Sequence, residues 1–269
     1  MRFLKTTAGS VKKYTINPLI TRIGKKIERK RFPEIPILIG ACPRSGTTLL
    51  LSILAASERI FAIPNQTYAF SRWAQKIDPE NRQIHYTALR IDRLYREFLY
   101  NKIPPKAVRW LEKTPKHVKS YKKILNYLNN RIYIINIIRD GRDVVTSKHP
   151  RIRSDSYYLE AERWVEDVNL GLDLEGHPQV LNIRYEDLID VFEPTMQKIY
   201  NFIDEPVPDS LLVWNKKTTI KRSKHWGKPV QKLYADSIKR WQKPEHKEKI
   251  DRFMQNKEAV ALLKKLNYL

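Results

Sequence analysis

Ile35-Pro36-Ile37-Leu38-Ile39-Gly40-Ala41-Cys42-Pro43-Arg44-Ser45-Gly46-Thr47-Thr48-Leu49-Leu50-Leu51 is the stretch whose reading decides the fold. Ile35 to Gly40 is a short apolar run with β-branched residues and flanking Pro and Gly, the pattern of a buried parallel strand. From Leu49 to Ala56 the spacing predicts a helix, with Leu49, Leu50, Ile53 and Leu54 on one face. The order is therefore strand, glycine-containing loop, helix. Such a turn presents backbone N–H groups and the positive end of the helix dipole to an anion. Ser45, Thr47 and Thr48 add hydroxyl donors, and Arg44 adds a fixed charge able to make paired hydrogen bonds to an oxyanion.

Gly40 and Gly46 have the glycine spacing of a nucleotide-triphosphatase loop, but Thr47 stands where that loop carries its lysine. That lysine reaches the β- and γ-phosphates, so its absence counts against an ATPase or kinase. An ordinary strand-to-helix turn is the plainer alternative. The concentration of one Arg and three hydroxyl residues around one glycine favours an anion site.

Outward from this stretch, strands and helices alternate. Ile60 to Ile63 and Val108 to Leu111 read as strands. Ile132 to Ile138 is apolar throughout except at Asn136, which predicts a central strand. Val180 to Ile183 reads as another. Helices are expected over 118–128, from Asp143, over 154–174, from Glu186, and through most of the tail from Tyr234. Residues 67–101 are rich in aromatics and Arg and read as a helical insertion. The expected architecture is α/β, a three-layer α/β/α sandwich on a central parallel sheet with a P-loop-type donor site. Residues 1–34 form a basic N-terminal arm and residues 35–269 one domain.

The chain has 269 residues, 42% hydrophobic and 30% charged, with a formal net charge of +22. That excess points to an anionic small molecule, a polyanion or an anionic membrane surface as partner, without choosing among them, while a merely solubilising surface is the plainer alternative for most of the lysines. Cys42 is the single cysteine, so an internal disulfide and a cysteine-based zinc site are excluded. At an apolar strand end it reads as an inert buried thiol. No apolar run approaches the ~20 residues of a membrane span, and no signal-peptide core follows Met1. A cytoplasmic protein is expected. The arm, with Lys25-Lys26-Ile27-Glu28-Arg29-Lys30-Arg31, is either solvated or in peripheral contact with lipid headgroups or an acidic acceptor.

Cys42 to Leu49, together with Arg139-Asp140-Gly141-Arg142-Asp143-Val144-Val145-Thr146-Ser147, resembles the two signature motifs of the superfamily of sulfotransferases that use 3′-phosphoadenosine 5′-phosphosulfate (PAPS). The resemblance runs from about Ile35 to Trp241. It implies that Arg44, Ser45, Gly46, Thr47 and Thr48 bind the 5′-phosphosulfate, and that Arg139 and Ser147 bind the 3′-phosphate. Arg139 leaves the end of a parallel strand, where such sheets place ligands. Ser147 follows about two helical turns later, so the chain must turn back at Gly141 for both to reach one phosphate. Spacing alone leaves a surface turn with internal ion pairs open. Arg184-Tyr185-Glu186-Asp187-Leu188 and Arg222 to Val230 resemble further family segments, implying Tyr185, Ser223 and Lys228 as donor contacts.

By analogy with phosphoryl transfer, catalysis would be positioning and charge stabilisation. Glu112-Lys113-Thr114-Pro115 resembles the family's Lys-Thr-Pro element and implies that Lys113 faces the transferring group, with Arg44 sharing the leaving-group charge. Arg and Lys suffice to neutralise a monoanionic group, so no metal is expected, and the histidines lack ligand spacing. Many relatives carry a Glu after the second strand; here Gln66 stands at that position and cannot take a proton. The base lies elsewhere, or Gln66 only orients the acceptor. His117 is a candidate base with a suitable intrinsic pKa, although a lone helical His is more often structural. Glu112 and His85 are weaker choices.

The acceptor is expected to be a small molecule, glycan or peptide, with a saccharide or glycolipid preferred. Tyr68, Phe70, Trp73 and Tyr86 suit either ring stacking or a core, while Arg72, Arg82, Arg90 and Arg93 suit an acidic acceptor. The competing readings are a P-loop kinase and a non-enzymatic polyanion-binding protein. Nucleic acid is disfavoured for want of a recognised binding motif. Oligomeric state is not legible.

Overall fold

The computed structural model describes residues 15–70, 74–77, 84–86, 90–148, 157–221 and 237–269. Its centre is a five-stranded sheet of β1 (Ile37–Ala41), β2 (Ile60–Ala62), β5 (Arg109–Lys113), β6 (Tyr133–Ile138) and β7 (Val180–Arg184), ordered β2-β5-β1-β6-β7. Every pairing is parallel. The middle strand is β1, and β6 is the interior strand beside it. Helices α2 (Thr47–Leu54), α4 (Tyr121–Tyr127), α6 (Ala161–Leu172) and α8 (Phe192–Phe202) fall between or after the strands.

Alternation along the strands divides the core between two faces. Ile37, Ile39, Ala41, Ile135 and Ile137 pack with Leu50, Ile53, Met196, Ile199 and Tyr200, which come from α2 and α8. Leu38, Trp110 and Ile134 point the other way, onto α3 (Asp92–Tyr100) and α4 through Leu94, Phe98, Ile124 and Leu125. A third cluster at the carboxyl ends of β1 and β6 joins Cys42, Ile138, Val144 and Trp164 to Phe253 and Leu263 of α10 (Lys247–Gln255) and α11 (Lys257–Lys265). The three-layer expectation therefore holds. Strands β2 and β5 lie on one side of β1 and β6 and β7 on the other, and the crevice where a parallel sheet takes its ligand lies at this reversal.

Two expectations need correction. The insertion at 67–101 is not wholly helical: β3 (Ala74–Ile77) and β4 (Ile84–Tyr86) form an antiparallel pair before α3 begins. Asp78-Pro79 lies between them in the sequence, and a proline there denies a helix its hydrogen bond. The basic segment is also more than an arm, because Asn17–Arg31 is a helix, α1, docked on α3. Gly24 permits the approach, since a Cβ there would lie 2.2 Å from Tyr95 Cβ. Glu28 seals it, accepting from the Tyr95 hydroxyl and the Trp110 indole N–H, each at 2.8 Å. The interior-facing residues of α1 were hard to see in a sequence dominated by lysine and arginine. The helix expected over 154–174 begins only at Ala161 as α6, since residues 157–160 precede it outside any helix, and Pro115–Ser120 is a 3₁₀ turn leading into α4.

Candidate active site

The loop between β1 and α2 is built as an anion cradle. Arg44 has φ 74° and Gly46 has φ 89°, so consecutive turns of the chain pass through left-handed backbone. Such conformations persist where the surroundings enforce them, commonly at functional sites. Gly46 is required twice over, because a Cβ there would also meet the Tyr185 ring at 2.2 Å. Tyr185, at the end of β7, is thereby packed onto the loop. No side chain caps α2, and its first turn carries no acidic residue, so the helix end keeps its positive potential.

Three guanidinium groups converge beside it. Arg139 donates to the Arg44 carbonyl at 2.8 Å and to the Ser237 carbonyl, and lies 4.4 Å from the centre of the Tyr185 ring. Arg240 donates to Ser147 Oγ at 2.6 Å and to the Asp143 carbonyl at 3.0 Å. Burial, and then the charges of Arg240 and Arg139, hold the Arg44 guanidinium below its ordinary pKa. Burial and then Arg139 do the same to Arg240. Cations depress one another in this way when too little negative charge stands among them. Arg44 Nε, Ser45 Oγ, Arg139 Nε and Arg240 Nε are all buried without a hydrogen-bond partner. Donors buried in this state fit an oxyanion.

Arg139 and Ser147 thus belong to one cluster, joined through Arg240. The turn after Arg139 differs from expectation in its cause. Gly141 opens the short helix α5 (Gly141–Val145), and a Cβ on it would press within 2.7 Å of the Trp164 indole. That indole donates to the Arg139 carbonyl at 3.1 Å. Arg142 is committed to structure: it pairs with Asp140 at 2.7 Å and stacks over Trp241 at 4.0 Å. Asp143 accepts from the backbone N–H of Lys239 (2.9 Å) and Trp241 (3.0 Å) and so carries the turn that presents Arg240. Neither Arg240 nor Asp143 was expected as a site residue. No local motif marks Arg240, whose position depends on an aspartate almost a hundred residues earlier.

Lys113 sits at the carboxyl end of β5, and its ammonium donates to Thr48 Oγ1 at 3.2 Å. The element expected to face the transferring group is therefore against the loop. Burial pulls this ammonium from 10.5 down to about 8, opposed by the Glu112 carboxylate.

Glu112 points to the opposite face and organises the next segment. Its Oε1 accepts from Thr67 N–H (3.1 Å), Thr67 Oγ1 (2.9 Å) and Thr114 Oγ1 (2.5 Å). Its Oε2 lies 3.0 Å from His117 Nδ1, with both side chains wholly buried. Burial pushes the carboxyl up, but His117 and these hydrogen bonds outweigh it and hold the group below its usual value. Phe70 N–H faces His117 Nε2 at 3.4 Å, and the two rings meet edge to face at 5.4 Å. The His117 ring is thus wholly buried, with Nδ1 in ion-pair contact with Glu112 and Nε2 facing the Phe70 N–H, an arrangement that suits a strut rather than a base facing an acceptor. Gln66 is half-buried one residue before Thr67, its Oε1 accepting from the Tyr68 hydroxyl at 2.7 Å.

Phe70 is 1% exposed and belongs to the core rather than to a stacking surface. Arg90 is held by Asp92 at 2.9 Å. Ser223, Lys228, Arg72, Trp73 and Arg82 lie outside the described residues, as do the side chains of His85 and Tyr86. Burial raises the Cys42 thiol well above its ordinary pKa, in keeping with an inert thiol. No helix among the described residues is long and apolar enough to cross a membrane.

A parallel α/β sheet with an anion loop at its switch point, facing a second cationic cluster at the end of the neighbouring strand, is the framework of an α/β protein that takes an anionic ligand at its strand ends. The model of the Sulfotransferase family matches residues 36–209, and the chain belongs to that family. It is 29% identical over 196 residues to protein-tyrosine sulfotransferase A of Caenorhabditis elegans, covering 65% of this chain and 51% of the relative. The chain thus spans about half the length of that curated relative. Among solved structures, it resembles mouse sulfotransferase SULT7A1 complexed with PAP (15% identity, TM-score 0.46, covering 90% of this chain and 92% of that one). It also resembles a sulfotransferase from Alicyclobacillus acidocaldarius (15% identity, TM-score 0.47, 86% and 95% covered).

Proposed function

We propose that the protein transfers the sulfuryl group of PAPS to an acceptor hydroxyl. The observation that carries this reading is the convergence of Arg44, Arg139 and Arg240, with unpartnered buried donors, beside the uncapped end of α2. An anion with two charged ends would satisfy both halves of the cluster. Arg44 to Thr48 would hold the 5′ end; Arg139, Ser147 and Arg240 would hold the 3′-phosphate, which separates PAPS from ATP. Tyr185 would flank the nucleotide, and Ser223 and Lys228 would complete its cover. PAPS supplies a sulfuryl group on an activated bridging oxygen. Lys113 and Arg44 would neutralise the charge that gathers on that oxygen as it leaves.

The acceptor hydroxyl must also lose its proton. Gln66 cannot take it, and His117 is enclosed with Glu112. A weakly basic site favours an acceptor that ionises readily. A phenol, with an ordinary pKa of about 10, meets this condition better than a sugar hydroxyl. Phe70 is lost as a platform for a saccharide, and the similar curated protein is a protein-tyrosine sulfotransferase. Peptidyl tyrosine is therefore the favoured acceptor, with a saccharide or glycolipid the second reading, supported by Tyr68.

The test is incubation with radiolabelled-sulfate PAPS and two panels, tyrosine-containing peptides and glycans with glycolipids, alongside calorimetry with PAP. Label in peptides alone supports the favoured acceptor, and label in glycans alone supports the second. Absence of both label and PAP binding overturns the function.

A further inference from the structure

We propose that α1 is a docking surface for an anionic lipid bilayer. Its inner face is taken: Ile20 and Gly24 are buried against α3, and Glu28 is turned inward to Tyr95 and Trp110. Its outer face is not. Ile16, Leu19 and Ile23 are 44%, 58% and 39% exposed. At 3.6 residues per turn these three positions fall within about 60° of one another, a single apolar stripe. Lys26 and Lys30 continue the line of that stripe along the same helix. Arg22 and Arg29 lie beside it and Lys25 farther round the helix, and all five basic side chains are exposed.

Charge selects the occupant. Residues 1–27 contain no acidic residue, and Glu28, the first, is consumed by the interior contacts. Among the described residues, none of the five exposed cations on α1 is paired with a carboxylate. A helix that is apolar along one stripe, basic beside it and pinned along its back to a rigid body is built to lie in the plane of a headgroup region. Its aliphatic side chains would enter the acyl boundary while its cations meet anionic headgroups. A soluble acidic partner would use the cations but would leave the stripe of Ile16, Leu19 and Ile23 without a purpose. The donor cluster lies at the carboxyl ends of the strands, and α1 enters the sheet region ahead of β1, at the opposite end of that strand.

The experiment is co-sedimentation of the full chain with phosphatidylcholine vesicles, with and without phosphatidylserine. Binding is expected only when phosphatidylserine is present. Leu19→Gln with Ile23→Gln should weaken it about tenfold or more, since two aliphatic insertions are lost. Lys25→Gln with Lys26→Gln should weaken it by about fivefold per charge, and added salt should act in the same direction. All four positions are exposed, so melting temperature and PAP affinity should stay at wild-type values and serve as controls. Failure to sediment with phosphatidylserine vesicles overturns the proposal. So does unchanged binding in the Leu19→Gln/Ile23→Gln protein, because charge alone would then account for it. Retention on heparin with no vesicle binding would assign the surface to a soluble polyanion instead. These readouts do not depend on sulfuryl transfer.

Discussion

Replacing Lys113 with methionine should make the donor-free protein more stable while removing its activity. Lys113 is 3% exposed, and among the described residues its ammonium has one hydrogen bond, to Thr48. Its pKa falls from 10.5 to about 8 because burial disfavours the charged form more than Glu112 favours it. At 1.36 kcal/mol per pH unit, that gap amounts to about 3 kcal/mol of destabilisation carried by the folded protein at neutral pH. The sign follows from proton counting. Between about pH 8 and 10.5 the unfolded chain binds a proton that the folded chain has released, so stability rises with pH across that window. Below it, the full penalty applies. Methionine matches the length of the lysine stem without its charge, and loses only the bond to Thr48, about 1 kcal/mol. Urea unfolding at pH 7 should therefore favour Lys113→Met by about 1–3 kcal/mol, with the difference shrinking as the pH approaches 10. In the wild type, PAP should oppose the penalty by supplying negative charge. A variant less stable than wild type at pH 7, or a difference that does not vary with pH, would refute the claim that the loop holds a desolvated cation in wait for an anion.

Other perturbations probe the rest of the site. Arg240→Ala should weaken PAP binding by about 10- to 100-fold, the worth of one charge-assisted contact, and reduce its salt dependence in calorimetric titrations. Since it also relieves crowding with Arg139, thermal stability should change little. Gly46→Ala forces a side chain into left-handed backbone and against Tyr185; loss of PAP binding is expected in calorimetry, together with a melting shift equivalent to more than about 1 kcal/mol. His117→Ala leaves Glu112 buried without its partner and should destabilise the fold by about 3–5 kcal/mol in denaturant titration. A His117→Ala protein of normal stability that lost only turnover would restore His117 as the base.

The sheet was legible because its strands are buried on both faces and therefore nearly continuous in Ile, Leu and Val, as at Ile132 to Ile138. The donor loop was legible because a glycine, an arginine and three hydroxyls must be neighbours in sequence to be neighbours around a turn. Arg139 was legible for a related reason, since it ends a strand and a parallel sheet gathers such ends at its ligand crevice, whereas Tyr185 was expected only from the resemblance of its segment to the family's. What escaped was long-range. Arg240 depends on the two backbone N–H bonds that Asp143 accepts, and no sequence pattern spans that separation. The Glu112–His117 pair was visible as two residues but not as a closed unit, since its enclosure depends on Thr67 and Phe70 arriving from another segment. Helix α1 was hidden by composition: one buried Ile, one Gly and one inward Glu decide its docking within a run of cations.

The late origin of Arg240 bears on how the protein is made. Residues 35–184 are enough for all five strands, yet the turn at Lys239 to Trp241 is held from Asp143, and Tyr268 completes the same corner by bonding Glu186 at 2.8 Å. Synthesis proceeds from the N-terminus, and a domain emerging from the ribosome folds as its segments become available. The sheet can therefore be complete while the clamp is still missing its third cation. A nascent chain at that stage has a finished scaffold but an incomplete cationic cluster, and the cluster closes only when the segment from Lys239 to Tyr268 has joined it.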